Sequence, residues 1–306
     1  MLESLFSISP FLFAAGAAVG MAGWNLINRH ILRYEKDYMA VAAVNENLSA
    51  AMILLAILVL GGGWLSVEQN TVAAPSAGWF GIPFIAWAAF AISLVLYCFS
   101  GIINYRIGQL VDASERTVVS QLQIVWVVAL GALLLGEPVG PVKLAAAGCI
   151  IVGAIIATYK PGRHHWKSYG VRLAALVAII WGTTGLSDKV AMGYFPPLLY
   201  SLPLYLAPGL IALALLNKNR VGRMKAAWKR YGLKFVLFSA VATVPFFFYI
   251  IALRGLPASV AVPLISINIV LTALGGVLFL GERDGWQQKI AGALLAFVGA
   301  WMIGGV

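Results

Sequence analysis

Apolar residues fill the chain in stretches of about 20, each followed by a short polar connector. A stretch of this length crosses the hydrocarbon core as an α-helix, because a helix satisfies its own backbone hydrogen bonds where no water is available. The alternating pattern of a membrane β-barrel does not occur in the sequence. We therefore predict an all-α integral membrane protein with ten spans, at residues 8–28, 38–60, 79–104, 113–135, 141–159, 170–190, 197–216, 232–253, 257–280 and 286–304.

The composition agrees with a membrane location. Hydrophobic residues make up 61% of the 306 residues, charged residues make up 10%, and the mean hydropathy is +0.91. Soluble domains are about 45–50% apolar. The longest connectors are residues 61–78 and the basic segment that begins at Asn217. The predicted spans therefore leave no room for a soluble domain between them.

Basic residues are distributed unevenly along the chain, whose net charge is +10. All Lys and Arg residues except Arg116, Lys143, Lys189 and Arg254 lie in or beside connectors that follow odd-numbered spans, which is 21 − 4 = 17 residues. Such an excess marks the cytoplasmic face of a membrane protein and favours anionic lipid, not nucleic acid, as the partner. The charge distribution alone predicts that both termini lie outside.

A long internal repeat relates the two halves of the chain. The segment GALLLGEPVG (131–140) returns as GVLFLGERDG (276–285), 145 positions later (281 − 136). The same offset aligns DASERTVVSQLQI (112–124) with PASVAVPLISINI (257–269), and VGA at 152–154 matches VGA at 298–300 after a one-residue shift. We predict two five-helix repeats, residues 1–159 and 160–306. Because five is odd, the second repeat is inverted, an arrangement typical of transporters.

These repeated motifs resemble the EamA-type members of the drug/metabolite transporter superfamily. Leu135-Gly136-Glu137 and Leu280-Gly281-Glu282 match the turn of that family. Trp181-Gly182 matches a Trp-Gly pair in the first helix of a half, whereas Met21-Ala22 stands at the aligned place in the first half. The resemblance covers almost the whole chain.

The resemblance implies a secondary transporter that exports small metabolites, such as amino acids or related organic solutes, by alternating access between two inverted repeats. It also implies a multi-pass protein of the plasma (inner) membrane of a prokaryote, acting as a monomer or homodimer. Cytoplasmic termini are implied too, opposite to the orientation that the charges predict. The alternative function is a flippase for an amphipathic lipid carrier, because the same inverted bundle could move one.

Two Gly-Glu turns, Gly136-Glu137 and Gly281-Glu282, each follow an apolar span. A glycine can adopt the left-handed conformation that closes a helix. The glutamate can then accept hydrogen bonds from the exposed amides of the next helix's first turn. We interpret both turns as structural.

Glu46 is an ionisable residue inside a predicted span, eight residues into span 2 or about 12 Å along the helix. Ionisable groups inside membranes usually face a cavity or a partner. The functional hypothesis is a carboxylate that attracts a cationic substrate or couples transport to protons. The structural alternative is an ion pair with Arg116. Asp112 and Glu115 are predicted to form a capping arrangement at the start of span 4.

Polar residues near the middle of the spans predict a substrate pocket. Gln123 in span 4 and its repeat mate Asn268 in span 9 offer carboxamides, which donate and accept hydrogen bonds without burying a charge. Aromatic residues also occur at membrane interfaces and in lipid contact, which is the alternative for several other candidates. Those candidates are Trp24, Asn25, Tyr97, Trp181, Thr184 and Tyr249.

Enzymatic chemistry is not predicted. The sequence contains no HExxH or GxSxG motif, and its aspartates form no metal-binding Asp-rich motif. Its three histidines do not make a metal cluster, so neither a metal nor a cofactor is expected. The expected partners are a small metabolite, protons as a possible coupling ion, and the lipid bilayer.

Overall fold

The described part of the chain is helical. The computed structural model describes residues 10–60, 82–135, 139–159, 168–191, 194–217, 219–255 and 258–304. This confirms the all-α class that the hydrophobic pattern predicts. The helices are α1 Pro10–Leu32, α2 Tyr38–Leu60, α3 Phe84–Leu110, α4 Ala113–Ser120, α5 Leu122–Leu135, α6 Pro141–Thr158, α7 Tyr169–Ala191, α8 Pro197–Leu215, α9 Arg220–Tyr231, α10 Lys234–Gly255, α11 Ala258–Phe279 and α12 Trp286–Gly304.

The count of ten spans is not confirmed. Within the described ranges, six helices are long and apolar enough to cross a membrane, or seven if the bent pair α9 and α10 is one span. Two regions depart from the predicted pattern. Span 4 is divided into α4 and α5, and the basic segment before span 8 forms the separate helix α9.

The division of span 4 lies at Gln121. Its side chain donates to the Thr117 carbonyl at 3.2 Å, and its N–H donates to the Val118 carbonyl, three residues back, at 3.1 Å. Ser120 Oγ also donates to the Thr117 carbonyl, at 2.7 Å. Polar side chains that bond nearby carbonyls compete with regular helical hydrogen bonds. The polar pair Ser120 and Gln121 therefore interrupts the helix at the start of the apolar part of the span.

Helix α9 is a basic amphipathic helix that turns by 94° into α10. Gly232 at the bend has a φ of +51°, a conformation that favours glycine. Arg223 Nε and Nη2 donate to the Asp37 carboxylate at 2.7 and 2.6 Å, and these bonds hold the pKa of Asp37 below its usual value. Val221 and Trp228 are exposed, as expected for a helix at a membrane surface.

The chain forms two compact units, each assembled from segments that are distant in sequence. The first unit comprises Met1–Lys36, Arg106–Ile179 and Val241–Val306, and the second comprises Asp37–Tyr105 and Ile180–Ala240. Each unit contains segments from both predicted repeats. The units therefore follow different boundaries from the repeats 1–159 and 160–306, which stay a prediction.

Within the first unit, α6 and α12 pack through small residues. A Cβ on Gly153 would lie 2.7 Å from the carbonyl oxygen of Gly292, and a Cβ on Gly299 would lie 2.6 Å from the carbonyl oxygen of Ala146. The two backbones are thus in contact, as in other small-residue membrane interfaces. The offset that aligns Gly153 with Gly299 (299 − 153 = 146) also aligns Ala146 with Gly292 (292 − 146 = 146). The two contacts are therefore reciprocal.

Gly153→Ala is expected to lower the free energy of unfolding by about 1–3 kcal/mol, because the new methyl group would overlap the backbone of α12. Gly148 on the same helix is the matched control, since a Cβ there meets nothing within 4 Å. Gly148→Ala should raise stability by up to about 1 kcal/mol through helix propensity. Reversible unfolding in mixed micelles measures both changes, and equal stabilities would contradict the backbone contact.

Candidate functional site

A carboxylate inside α7 accepts three hydrogen bonds from hydroxyl groups of the second unit. Ser93 Oγ donates to Asp188 Oδ1 at 2.6 Å, Tyr200 Oη donates to the same oxygen, and Tyr97 Oη donates to Oδ2 at 3.1 Å. Asp188 is 5% exposed. Within the described part of the chain, no Lys, Arg or His forms a salt bridge with it. Hydroxyl groups therefore solvate this carboxylate.

Aromatic packing orients one of the three donors. The ring centroid of Tyr200 lies 5.5 Å from that of Phe90 and 6.3 Å from that of Phe195. Phe195 in turn meets Trp87 edge to face at 4.9 Å. Aromatic pairs at these separations favour tilted or edge-to-face geometry. The cluster therefore holds the Tyr200 ring with its hydroxyl directed at Asp188.

Glu46 is a second carboxylate within a helix of the second unit. Tyr105 Oη donates to Glu46 Oε1 at 2.7 Å and accepts a hydrogen bond from Asn45 Nδ2 at 2.7 Å. Ser239 Oγ donates to Asn45 Oδ1 at 2.9 Å. Asn45, Tyr105 and Ser239 are buried, whereas Glu46 is partly exposed. A chain of polar groups thus ends on the Glu46 carboxylate.

A polar stripe on α3 begins at the Asp188 site and ends one residue before Tyr105. Ser93, Tyr97, Ser100 and Asn104 are four, three and four residues apart, which places them on one face of the helix. The first two contact Asp188, and Tyr105 at the far end contacts Glu46. Ser93 and Tyr105 are separated by about 18 Å at 1.5 Å per residue. The stripe therefore carries polar groups through a helix that is otherwise apolar.

Two further predicted residues share a face of α7 with Asp188. Trp181 and Thr184 precede it by seven and four residues, or two turns and one turn. Thr184 is buried and its Oγ1 donates to the Trp181 carbonyl at 3.0 Å. Glu46 and Tyr97 also belong to the second unit. This unit therefore brings Tyr97, Trp181 and Thr184 near one carboxylate, and it contains Glu46 as the other.

The first unit contains a buried ionic network where α4 packs on α1 and α12. The Asp112 carboxylate accepts hydrogen bonds from Arg29 Nη2 at 2.8 Å and from Lys289 Nζ at 2.7 Å. Arg29 also donates to the carbonyls of Gly108 and Gln109, each at 3.0 Å. Lys289 is 1% exposed. Here a carboxylate is held by cationic groups, unlike Glu46 and Asp188.

Glu282 binds the N-terminus of α4. Its Oε1 accepts the Ala113 N–H at 2.7 Å, and its Oε2 accepts the Ser114 N–H at 3.2 Å and the Ser114 hydroxyl at 2.5 Å. Gly281 has a φ of +66°, in the left-handed region. The sequence predicted amides of the following helix as partners, whereas the structure shows amides 169 residues earlier. Gly136-Glu137 lies outside the described residues.

The predicted capping arrangement of Asp112 and Glu115 is wrong. Asp112 occupies the N-cap position of α4 but makes no side-chain cap hydrogen bond. Its oxygens bind Arg29 and Lys289, and Glu282 accepts the first amides of the helix instead. Lys289 Nζ lies 4.0 Å from Glu115 Oε1. Tertiary ionic contacts therefore replace the local cap.

The remaining predicted substrate-site residues belong to the first unit. Arg116, the partner predicted for Glu46, donates to Asn28 Oδ1 at 2.9 Å, and its guanidinium lies 4.6 Å from the Trp24 ring centroid. Asn25 Nδ2 donates to Thr272 Oγ1 at 3.4 Å and so links α1 to α11. Asn268 Nδ2 donates within its own helix, to the Ile265 carbonyl, at 2.6 Å. The full set in this unit is Trp24, Asn25, Gln123, Tyr249 and Asn268.

Sequence reasoning missed the Asp188 site. A signal was present, because Asp188 is an ionisable residue within the predicted span 170–190, as Glu46 is within span 2. Ser93 and Tyr200 gave no such signal, since hydroxyl residues are common in apolar helices. Ser93 meets its partner across 95 positions of sequence, which only the tertiary structure reveals.

Comparison with known proteins places this architecture among transporters. The sequence model of the EamA-like transporter family matches residues 8–159 and 168–305. The Uncharacterized transporter YvbV of Bacillus subtilis (strain 168) is 31% identical over 140 residues, which is 45% of this chain and 44% of that protein. The chain thus matches less than half the length of this relative. A solved crystal structure has a TM-score of 0.60 at 17% identity, covering 96% of both chains, a likeness of fold alone.

Proposed function

Since this chain belongs to the EamA-like transporter family, we propose that it moves a small polar metabolite across the membrane by secondary active transport. The family and the apolar helices indicate a multi-pass membrane transporter and not an enzyme. The observation that carries the finer proposal is the pair of carboxylates, Glu46 and Asp188, held by hydroxyl groups inside helices of one unit. Ionisable groups in such positions mark substrate or ion pathways.

The mechanism we propose is alternating access between two inverted repeats, residues 1–159 and 160–306. Inverted-repeat transporters exchange two conformations in which the halves swap roles. The reciprocal contacts of Gly153 with Gly292 and of Gly299 with Ala146 support this proposal, because equivalent positions of the two halves meet equivalent partners. The repeated Gly-Glu turns in the sequence support it as well.

The proposed substrates are amino acids or related organic solutes, and the proposed direction is export. The proposed location is the plasma membrane of a prokaryote, consistent with the Bacillus relative. The protein acts as a monomer or homodimer. The candidate substrate contacts are Trp24, Asn25, Gln123, Tyr249 and Asn268 in the first unit and Glu46, Tyr97, Trp181 and Thr184 in the second.

Flux measurements test the proposal directly. Purified protein is reconstituted in liposomes, and the movement of radiolabelled amino acids is compared with that of a fluorescent phospholipid. Saturable flux of an amino acid, absent from protein-free liposomes, is the expected result. Movement of the lipid alone would establish a flippase instead and overturn the metabolite proposal.

Glu46→Gln is expected to abolish accumulation driven by a pH gradient while leaving exchange of substrate across the membrane intact. The amide keeps the shape of the side chain and its oxygen can still accept the Tyr105 hydrogen bond, but it carries no exchangeable proton. Asp37→Asn is the matched control, because Asp37 precedes the same helix and is paired with Arg223. Proton-driven accumulation that survives in Glu46→Gln would remove Glu46 from the coupling role.

A further inference from the structure

Five carboxylates of this chain fall into two classes according to the groups that bind them. Asp37 and Asp112 are bound by guanidinium or ammonium groups, and Glu282 accepts two backbone amides together with the Ser114 hydroxyl. Amides and cationic side chains can only donate hydrogen bonds, so they stabilise a fixed negative charge. Asp188 and Glu46 differ from these three carboxylates, because every described hydrogen bond to them comes from a hydroxyl group.

A hydroxyl group can both donate and accept, and this matters when a carboxylate gains a proton. The ionised Asp188 accepts from Ser93, Tyr97 and Tyr200. After protonation, its own O–H must donate, and a rotated hydroxyl can accept that bond. The carboxyl group then has hydrogen-bond partners in both states, which avoids the cost of about 1–3 kcal/mol for an unpaired buried polar atom. Amide or ammonium donors at the same place would disfavour the neutral acid.

We propose that Asp188, with Ser93, Tyr97 and Tyr200, forms a proton-binding site, so that the second unit carries two exchangeable protons, one here and one at Glu46. The use of these protons in transport rests on the proposed function, whereas the contacts alone define the site. The proton adds to Asp188 Oδ2, which accepts one described hydrogen bond where Oδ1 accepts two. The reaction is a reversible proton transfer from water to a carboxylate.

The groups facing each carboxylate are consistent with such transfer. Asp188 faces Ser93 and Tyr97 of α3 and Tyr200 of α8, and the described residues place no charged side chain in contact with it. Glu46 faces Tyr105 and Cys98 of α3 and lies within electrostatic range of Tyr205 of α8. The polar stripe of α3 begins at Ser93 and Tyr97 and ends at Asn104, one residue before Tyr105, and it supplies groups that both donate and accept.

Infrared difference spectroscopy tests the site without any substrate. Spectra of the full chain in liposomes are recorded from about pH 5 to about pH 9, where a carboxyl group with a perturbed environment can titrate. The wild-type spectra minus those of Asp188→Asn should show one protonated-carboxyl band that grows as a carboxylate band declines. Glu46→Gln should remove a second band of similar size. Asp37→Asn, which changes a fixed charge, should remove no band in this range.

A flat difference for Asp188→Asn across the whole range would overturn the proposal, because Asp188 would then keep one protonation state. If Asp188→Asn does not fold, Tyr200→Phe tests the site instead. This substitution keeps the ring in its aromatic cluster and removes one hydroxyl donor to Asp188. The pH at which the band is half developed should then rise, and an unchanged value would overturn the proposal. Absence of metabolite flux would overturn the proposed function alone, since these spectra require no transport.

Discussion

Glu282→Ala is expected to lower the free energy of unfolding by about 3–5 kcal/mol, the range for removing one partner of a buried charged contact. Glu282 is 4% exposed. Its carboxylate accepts hydrogen bonds from the amides of Ala113 and Ser114 and from the Ser114 hydroxyl. Arg29 Nε lies 4.0 Å from Glu282 Oε1. The substitution leaves the first amides of α4 and a nearby guanidinium without this buried acceptor.

Unfolding in mixed micelles, followed by tryptophan fluorescence, measures this loss. Asp284→Ala is the matched control, because Asp284 is an exposed acidic residue of the same turn, and its substitution should change stability by less than about 0.5 kcal/mol. Glu282→Gln should fall between the two, since the amide keeps one acceptor oxygen but loses the charge. Equal effects of Glu282→Ala and Asp284→Ala would show that the contact with α4 contributes nothing.

Glu282 also shows how far sequence reasoning can reach. The repeated Gly-Glu signal correctly led to a glycine in the left-handed region, because that requirement is local to the turn. The partner of the glutamate could not be found in the same way. Local rules assign a helix-end carboxylate to the nearest amides along the chain, whereas here the nearest amides in space belong to α4. Only the packing of distant helices decides between them.

The helices themselves were predictable wherever one physical signal dominated. Long apolar stretches such as α2 and α8 were predicted within a residue or two, since burial in hydrocarbon outweighs local preferences. The break at Gln121 was missed, because hydropathy averages over the side-chain hydrogen bonds to Thr117 that interrupt the helix. Helix α9 was seen only as a basic connector, since its helical structure depends on amphipathic contacts at its surface.

The groups that bind Asp112 in the first unit differ from those that bind Glu46 and Asp188 in the second. Carboxylates of the first unit, such as Asp112, bind cationic groups and stabilise the packing of α1, α4 and α12. In the second unit, Glu46 and Asp188 bind hydroxyl groups, whereas Asp37 is paired with Arg223. In the transport that we propose, the first unit, in which Arg29 and Lys289 bind Asp112, serves as a stable scaffold. The stability of that scaffold should therefore depend on its ion pairs acting together.

Lys289→Met is expected to cost about 3–5 kcal/mol of unfolding free energy, because it leaves buried carboxylates without an ammonium partner. Lys289 Nζ lies 2.7 Å from Asp112 Oδ2 and 4.0 Å from Glu115 Oε1, and the side chain is 2% exposed. Methionine has a similar length and no charge, so packing is largely kept. Asp112→Asn removes the other charge of the pair and should also destabilise, since Arg29 then loses the nearer of its two anionic partners, Asp112 at 2.8 Å and Glu282 at 4.0 Å.

The double variant distinguishes a coupled ion pair from two independent contributions. In a double-mutant cycle, Asp112→Asn with Lys289→Met should destabilise by about 1–3 kcal/mol less than the sum of the single variants, because the second substitution no longer breaks an intact pair. All four proteins are unfolded under the same micellar conditions. Additivity within about 0.5 kcal/mol would mean that the two residues act separately. The ionic network would then be a set of isolated contacts, and the scaffold role assigned to the first unit would lose its physical basis.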